Sequence, residues 1–251
     1  MERKPFIAGN WKMHMTVAAA DQLAAAVVAT CSQVHDRDVA VAPPYTALAA
    51  VARVVAGTPV QLAAQNVHWE EKGAFTGEIS PVMLKDIGCG LAIVGHSERR
   101  HIFFESDGLI NRRLLGALRQ GIKPIFCIGE TLAEREAGRT LAVLEGQIRA
   151  GLAGVEPATA GQVVIAYEPV WAIGTGKTAT ENQAQDIHAF VRKLVGELFD
   201  KTVAGHMRIL YGGSVKAENI DVLMRQEDID GVLVGGAALQ AEEFDRIIRF
   251  Q

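Results

Sequence analysis

Three side chains with complementary chemistry, Lys12, His96 and Glu168, each follow a short apolar run: Phe6-Ile7-Ala8-Gly9-Asn10, Leu91-Ala92-Ile93-Val94-Gly95 and Val163-Val164-Ile165-Ala166-Tyr167. A lysine so placed can neutralise a phosphate and a developing oxyanion together, although Lys12 read alone is more readily an ordinary surface lysine. His96 precedes Ser97-Glu98-Arg99-Arg100, the start of a short predicted helix whose free N–H groups favour a neutral ring. Taken singly it is as readily a hydrogen-bonded structural histidine, and Glu98 with Arg99 reads as a supporting ion pair. Glu168 is followed by Pro169, which holds it extended and ends regular pairing, so a carboxylate is fixed where a strand stops. General acid–base chemistry needs such a positioned group.

Beyond Glu168 the chain runs Val170-Trp171-Ala172-Ile173-Gly174-Thr175-Gly176-Lys177-Thr178-Ala179. Large apolar residues at the head and small ones at the tail suit a lid that expels water, sets Ile173 against Glu168 and offers N–H groups to an anion. An ordinary surface loop is the competing reading, but it would leave Trp171 and Ile173 exposed. Two further glycine turns, Tyr211-Gly212-Gly213-Ser214 and Val234-Gly235-Gly236-Ala237, let the backbone approach a ligand closely, and N–H groups ahead of a helix make an anion pocket. Either is a plain tight turn on its own. Their position after consecutive strands favours phosphate.

Other signals fail on spacing. Gly176-Lys177-Thr178 ends like a nucleotide-binding P-loop, but Trp171 stands where that motif needs glycine; Gly174-x-Gly176-x-x-Ala179 fits a dinucleotide fingerprint but neither follows its strand directly nor lies at the first strand. Gly212-Gly213-Ser214-Val215-Lys216 lacks the last glycine of a nucleophile elbow. No H-E-x-x-H occurs among the seven histidines, and His96 and His101 fall on different helix faces. The expectation is chemistry without a metal.

These residues require a scaffold that repeats a strand and a helix. Strands are predicted at Phe6–Asn10, Val39–Ala42, Val60–Gln65, Leu91–Gly95, Ile122–Ile128, Val163–Glu168, Arg208–Tyr211 and Val232–Gly235. Amphipathic helices are predicted at Val17–Cys31, Thr46–Ala56, Leu109–Gln120, Leu141–Leu152, Glu181–Phe199 and Glu242–Phe250. Eight strands in 251 residues give about 31 residues per unit, near the ~30 of a strand–helix–strand repeat. Strands apolar on both faces belong in a parallel sheet covered by helices. No linker or composition shift divides the chain, so residues 1–251 read as one (β/α)8 barrel domain of eight parallel strands ringed by helices, with its chemistry at the strand ends.

Composition narrows the partners. Hydrophobic residues make up 49% and charged residues 22%, which supplies a large core and no disorder signature. The 25 lysines and arginines are outnumbered by 29 acidic residues, for a net charge of −4, so nucleic acid is not an expected partner. No apolar run reaches the ~20 residues of a membrane span. Cys31, Cys89 and Cys127 match no zinc or redox spacing, and an odd number cannot all pair; a reducing, cytoplasmic setting is expected.

Asn10-Trp11-Lys12-Met13, Gly95-His96-Ser97-Glu98-Arg99-Arg100, the twelve residues Ala166 to Lys177, Tyr211-Gly212-Gly213-Ser214 and Leu233-Val234-Gly235-Gly236-Ala237 together resemble the triosephosphate isomerase family, in the family's order and along the whole chain. The segment ending at Lys177 is the most specific. The (β/α)8 barrel is named TIM barrel after this family, so agreement between fold and resemblance is not independent. The resemblance implies cofactor-independent interconversion of dihydroxyacetone phosphate and D-glyceraldehyde 3-phosphate through an enediolate, with Glu168 as base, His96 as neutral electrophile and Lys12 as electrostatic stabiliser. It further implies that Asn10 and Lys12 contact substrate and that Gly174, Ser214, Gly235 and Gly236 receive its phosphate.

The long 66–78 loop, carrying Trp69 and Phe75, would dock into a second subunit of a homodimer and send Thr76 toward the partner's site; folding back on its own chain is the other reading. Departures from the family pattern are His14, Phe104, Gly108 and Ala238, none on the proton path. A catalytically inactive phosphate-binding barrel is the first alternative. A nucleotide-dependent transferase built on 174–178 is the second, and Trp171 argues against it.

Overall fold

A computed structural model describes residues 3–173 and 179–251. Eight strands close into a barrel in chain order: β1 (Phe6–Asn10), β2 (Asp38–Ala42), β3 (Val60–Ala64), β4 (Leu91–Val94), β5 (Lys123–Ile128), β6 (Val164–Tyr167), β7 (Ile209–Tyr211) and β8 (Gly231–Val234). Every pairing is parallel, and β1 pairs with β8 to complete the ring. The architecture is the expected (β/α)8 barrel, and each strand falls within about two residues of its predicted limits.

Period-two alternation along the strands explains why they are apolar on both faces. Phe6 and Ala8 on β1, Ala40 and Ala42 on β2, Leu91 and Ile93 on β4, and Leu210 on β7 point inward and form one buried cluster filling the barrel. Alanine and large side chains share this interior, as a barrel of eight strands has room for packed side chains but no pore. The residues between them, Ile7, Val39, Val41, Ala92 and Val94, turn outward into a second cluster shared with the helices. That layer takes Leu23, Ala24 and Val27 from the helix Val17–Cys31, and Val191, Leu194 and Val195 from the helix Glu181–Leu198.

Helix ends carry the expected chemistry. Thr16 caps the helix Val17–Cys31, and Thr180 with Gln183 forms a reciprocal capping box on Glu181–Leu198, each such cap contributing about 1 kcal/mol. Periodicity missed the short helices Pro81–Asp86, Leu132–Glu136, Pro157–Ala160, Lys201–His206 and Ile220–Met224, because one turn or slightly more shows too few apolar repeats to register. No helix among the described residues is long and apolar enough to cross a membrane.

Candidate active site

The carboxylate of Glu168 is positioned by its backbone first. Glu168 N–H donates to the Ile128 carbonyl at 2.7 Å, and Gly212 N–H donates to the Tyr167 carbonyl at 2.7 Å, so the residue just past β6 stays laced to β5 and to the end of β7. Pro169 then stops the ladder, and a 3-10 turn follows over Val170–Ala172. The Glu168 side chain is buried. Its Oε2 accepts from the Ser97 N–H at 2.9 Å, and its Oε1 lies 3.0 Å from His96 Nε2.

His96 is itself the N-cap of the short helix Ser97–His101, its Nδ1 accepting from the Glu98 N–H at 3.2 Å. An amide donor at Nδ1 requires a lone pair there, which puts the proton on Nε2, facing Glu168. Glu98 Oε2 also lies 3.4 Å from Nδ1, an approach that would suit the other tautomer. The aligned backbone donor decides for Nε2–H, since the Glu98 carboxylate is already engaged elsewhere. The first two amides of one short helix thus hold both the carboxylate and the imidazole.

Glu98 is engaged by Lys12: Nζ to Oε1 is 2.6 Å. Burial alone would raise the Glu98 carboxyl, but the Lys12 hydrogen bond and nearby positive charge hold it below the usual carboxylate value. The expected Glu98–Arg99 pair is not formed; Arg99 turns instead to buried Glu105 at 2.7 Å. Adjacent residues at the start of a helix point to different sides, so each finds its partner across the fold. Lys12 sits at φ 51°, a left-handed conformation for a non-glycine residue, which costs of order 1 kcal/mol and is characteristic of functional sites. Two bonds brace it. Lys12 N–H donates to Asn10 Oδ1 at 3.0 Å, and Gln65 Nε2 donates to the Lys12 carbonyl at 2.7 Å.

One cavity of about 440 Å³ at the strand ends is lined by Asn10, Lys12, His96, Glu168, Ser214, Gly235 and Gly236. Of the residues singled out from sequence, only Gly174 is not placed, since it lies outside the described residues together with the rest of 174–178. Trp171 and Ile173 are half-buried; Ile173 lines the cavity, and Trp171 Nε1 donates to Glu130 Oε1 at 2.9 Å.

Several supporting residues escaped sequence reasoning. A Cβ on Gly212 would stand 2.9 Å from Glu168 Cγ, and one on Gly129 would stand 1.8 Å from the Glu168 carbonyl oxygen. Gly212, read as part of a phosphate turn, therefore also makes room for the carboxylate. Gly129 carried no signal beyond being a glycine after a predicted strand.

The sequence matches the family model for triosephosphate isomerase over residues 5–251. The chain belongs to the triosephosphate isomerase family. It is 55% identical over 249 residues to the triosephosphate isomerase of Syntrophotalea carbinolica, covering 99% of both chains. Identity is 53% over 249 residues to that of Trichlorobacter lovleyi, again covering 99% of both. The triosephosphate isomerase of Chloroflexus aurantiacus is 54% identical over 249 residues, 99% of this chain and 100% of the relative. Membership in the triosephosphate isomerase family accounts for the whole barrel, from β1 to the final helix.

Proposed function

We propose that the chain carries out its family's reaction, the interconversion of dihydroxyacetone phosphate and D-glyceraldehyde 3-phosphate, with Glu168, His96 and Lys12 in the roles described here. The observation that carries this reading is that one cavity contains all three side chains together with Ser214, Gly235 and Gly236.

Glu168 removes a proton from the carbon beside the carbonyl and returns it to the neighbouring carbon. Removal is possible only if the oxyanion is stabilised as it forms, by donors already in place and away from water. His96 Nε2–H, which meets Glu168 Oε1 in this structure, exchanges that partner for the substrate oxygen, freeing the carboxylate for the carbon. Lys12 adds positive charge to the enediolate and to the phosphate, and Asn10 fixes the Lys12 backbone as well as facing substrate. Ser214, Gly235 and Gly236 offer N–H groups to the phosphate. Neither a metal nor an organic cofactor is called for.

The chain acts as one barrel domain over residues 1–251 and assembles as a homodimer through the 66–78 loop. At the root of that loop Trp69 folds back on its own chain, with Arg112 over its ring at 4.5 Å. Phe75 near the tip stays partly exposed, as do Met13, Ile102, Phe103 and Phe104, apolar surface that a second copy would cover. Three free, buried cysteines suit a cytoplasmic location. Light scattering is expected to return twice the chain mass, and a monomer at micromolar concentration contradicts the assembly.

Turnover in D2O tests the chemistry. Proton transfer through Glu168 predicts solvent deuterium on the product carbon beside the carbonyl. Deuterium at that carbon excludes a direct hydride shift, and product with none in either direction would leave the enediolate without support. Binding of glycerol 3-phosphate without any turnover would establish the inactive barrel instead.

A further inference from the structure

Lys216 lies two residues past Ser214, exposed to solvent, on the wall of the cavity that holds Lys12, His96 and Glu168. Among the described residues its ammonium pairs with no carboxylate, whereas Lys12 is held by Glu98 at 2.6 Å. Its backbone is tied in place. Lys216 N–H donates to Asn219 Oδ1 at 2.8 Å, and Asn219 Nδ2 donates to the Ser214 carbonyl at 2.9 Å. One side chain therefore clamps both ends of the turn that carries a phosphate donor and this lysine.

The charge on the wall gives Lys216 its task. Lys12 and Lys216 share the cavity lining with two carboxylic side chains, Glu168 and Glu243, in a chain of net charge −4. Without Lys216, carboxylates outnumber ammonium groups around the space that a phosphate dianion must enter. An exposed ammonium acts through its field, over roughly 10 Å at 0.1 M salt, and so governs encounter and retention rather than bond making.

We propose that Lys216 captures the phosphate of the incoming substrate at the cavity mouth and passes it to the turns at Ser214, Gly235 and Gly236. This rests on the cavity being a triose-phosphate site and adds to it a residue that determines phosphate affinity.

The test compares wild type, Lys216→Met and Lys216→Arg by steady-state kinetics with D-glyceraldehyde 3-phosphate, at about 10 mM and about 500 mM ionic strength. Calorimetric binding of the unreactive glycerol 3-phosphate is measured alongside. Lys216→Met is expected to lower kcat/KM about three- to tenfold at low salt, mainly through KM. The gap closes at high salt, and Lys216→Arg follows wild type. Glycerol 3-phosphate binding should weaken by a similar factor with the same salt dependence. Parity of Lys216→Met with wild type at low salt, or a loss indifferent to salt, overturns the proposal while leaving the proton chemistry intact. A wild type without turnover would refute the proposed reaction instead, and the binding measurements would still decide the role of Lys216.

Discussion

His96 Nε2 and Glu168 Oε1 stand 3.0 Å apart, so the group that would polarise a carbonyl and the group that would take a proton satisfy each other when no substrate separates them. Both are further held by amides of one helix turn, Glu98 N–H on His96 Nδ1 and Ser97 N–H on Glu168 Oε2. A carboxylate with one oxygen on a backbone amide and the other on an imidazole has few orientations left. Catalysis gains from such restriction, because misplacing a reacting group by about 1 Å can cost ~10²-fold.

Gly212 should be intolerant of any side chain for that reason. The Cβ of Gly212→Ala would sit 2.9 Å from Glu168 Cγ and 3.3 Å from the Tyr167 carbonyl oxygen, pushing the carboxylate off its amide. The expected result is a loss of kcat of up to ~10²-fold with the melting temperature lowered by roughly 4 °C or less. Paired kinetics and calorimetry measure both; full activity in Gly212→Ala would mean the carboxylate position is not critical.

His188 gives the fold a defined acid limit. The ring is fully buried beside the Asp228 carbonyl, and burial pushes its pKa down from 6.5 to about 4. As pH falls below 6.5 the unfolded chain binds a proton that the native chain refuses until about pH 4. Stability therefore declines across that window and is unaffected by this group above it, by about 3 kcal/mol in all. Denaturant titrations of wild type and His188→Gln from pH 7.5 to 4 check this: the variant should lose most of that slope, and identical slopes would assign the acid sensitivity elsewhere.

The three thiols should be silent in the native protein. Burial pushes Cys31 up to about 11 and Cys89 up to about 12, and raises Cys127 well above the usual thiol value, with Glu168 adding to the effect. At pH 8 almost no thiolate is present to react. An aromatic disulfide reagent is expected to modify all three only in denaturant, and rapid labelling of the folded protein would contradict their burial.

How much of this was readable beforehand varies from residue to residue. Apolar runs that end in a polar residue mark strand ends, which is why the sequence alone places Lys12, His96 and Glu168 at one rim. The family resemblance comes from five motifs together, of which the twelve residues from Ala166 to Lys177 are the most specific. Contacts between distant strands were not readable: Glu98 follows Lys12 by 86 residues yet binds it, and the pairing expected with its neighbour Arg99 was wrong. Gly129 matters only because the Glu168 carbonyl passes over it, a closeness that no local pattern encodes. Phe104 at φ 55° and largely exposed broke the usual preference for glycine in that conformation, and the sequence offered only its departure from the family as a sign.

Chelation offers a clean check on where the stabilising charge comes from. With Lys12 and His96 supplying it, millimolar EDTA is expected to leave the rate within error of the untreated protein. A loss that returns on adding Mg2+ or Zn2+ would mean that a metal, rather than these two side chains, carries the oxyanion.

The most direct measurement is a coupled assay of D-glyceraldehyde 3-phosphate turnover by Glu168→Gln beside wild type. The amide keeps the shape and the chance of bonding to Ser97 N–H and His96 but cannot take a proton from carbon. A positioned base contributes ~10²- to 10⁴-fold, so kcat should fall by at least 10²-fold while the circular dichroism spectrum and melting temperature stay close to wild type. Activity of a folded Glu168→Gln protein within a few-fold of wild type would show that another group takes the proton.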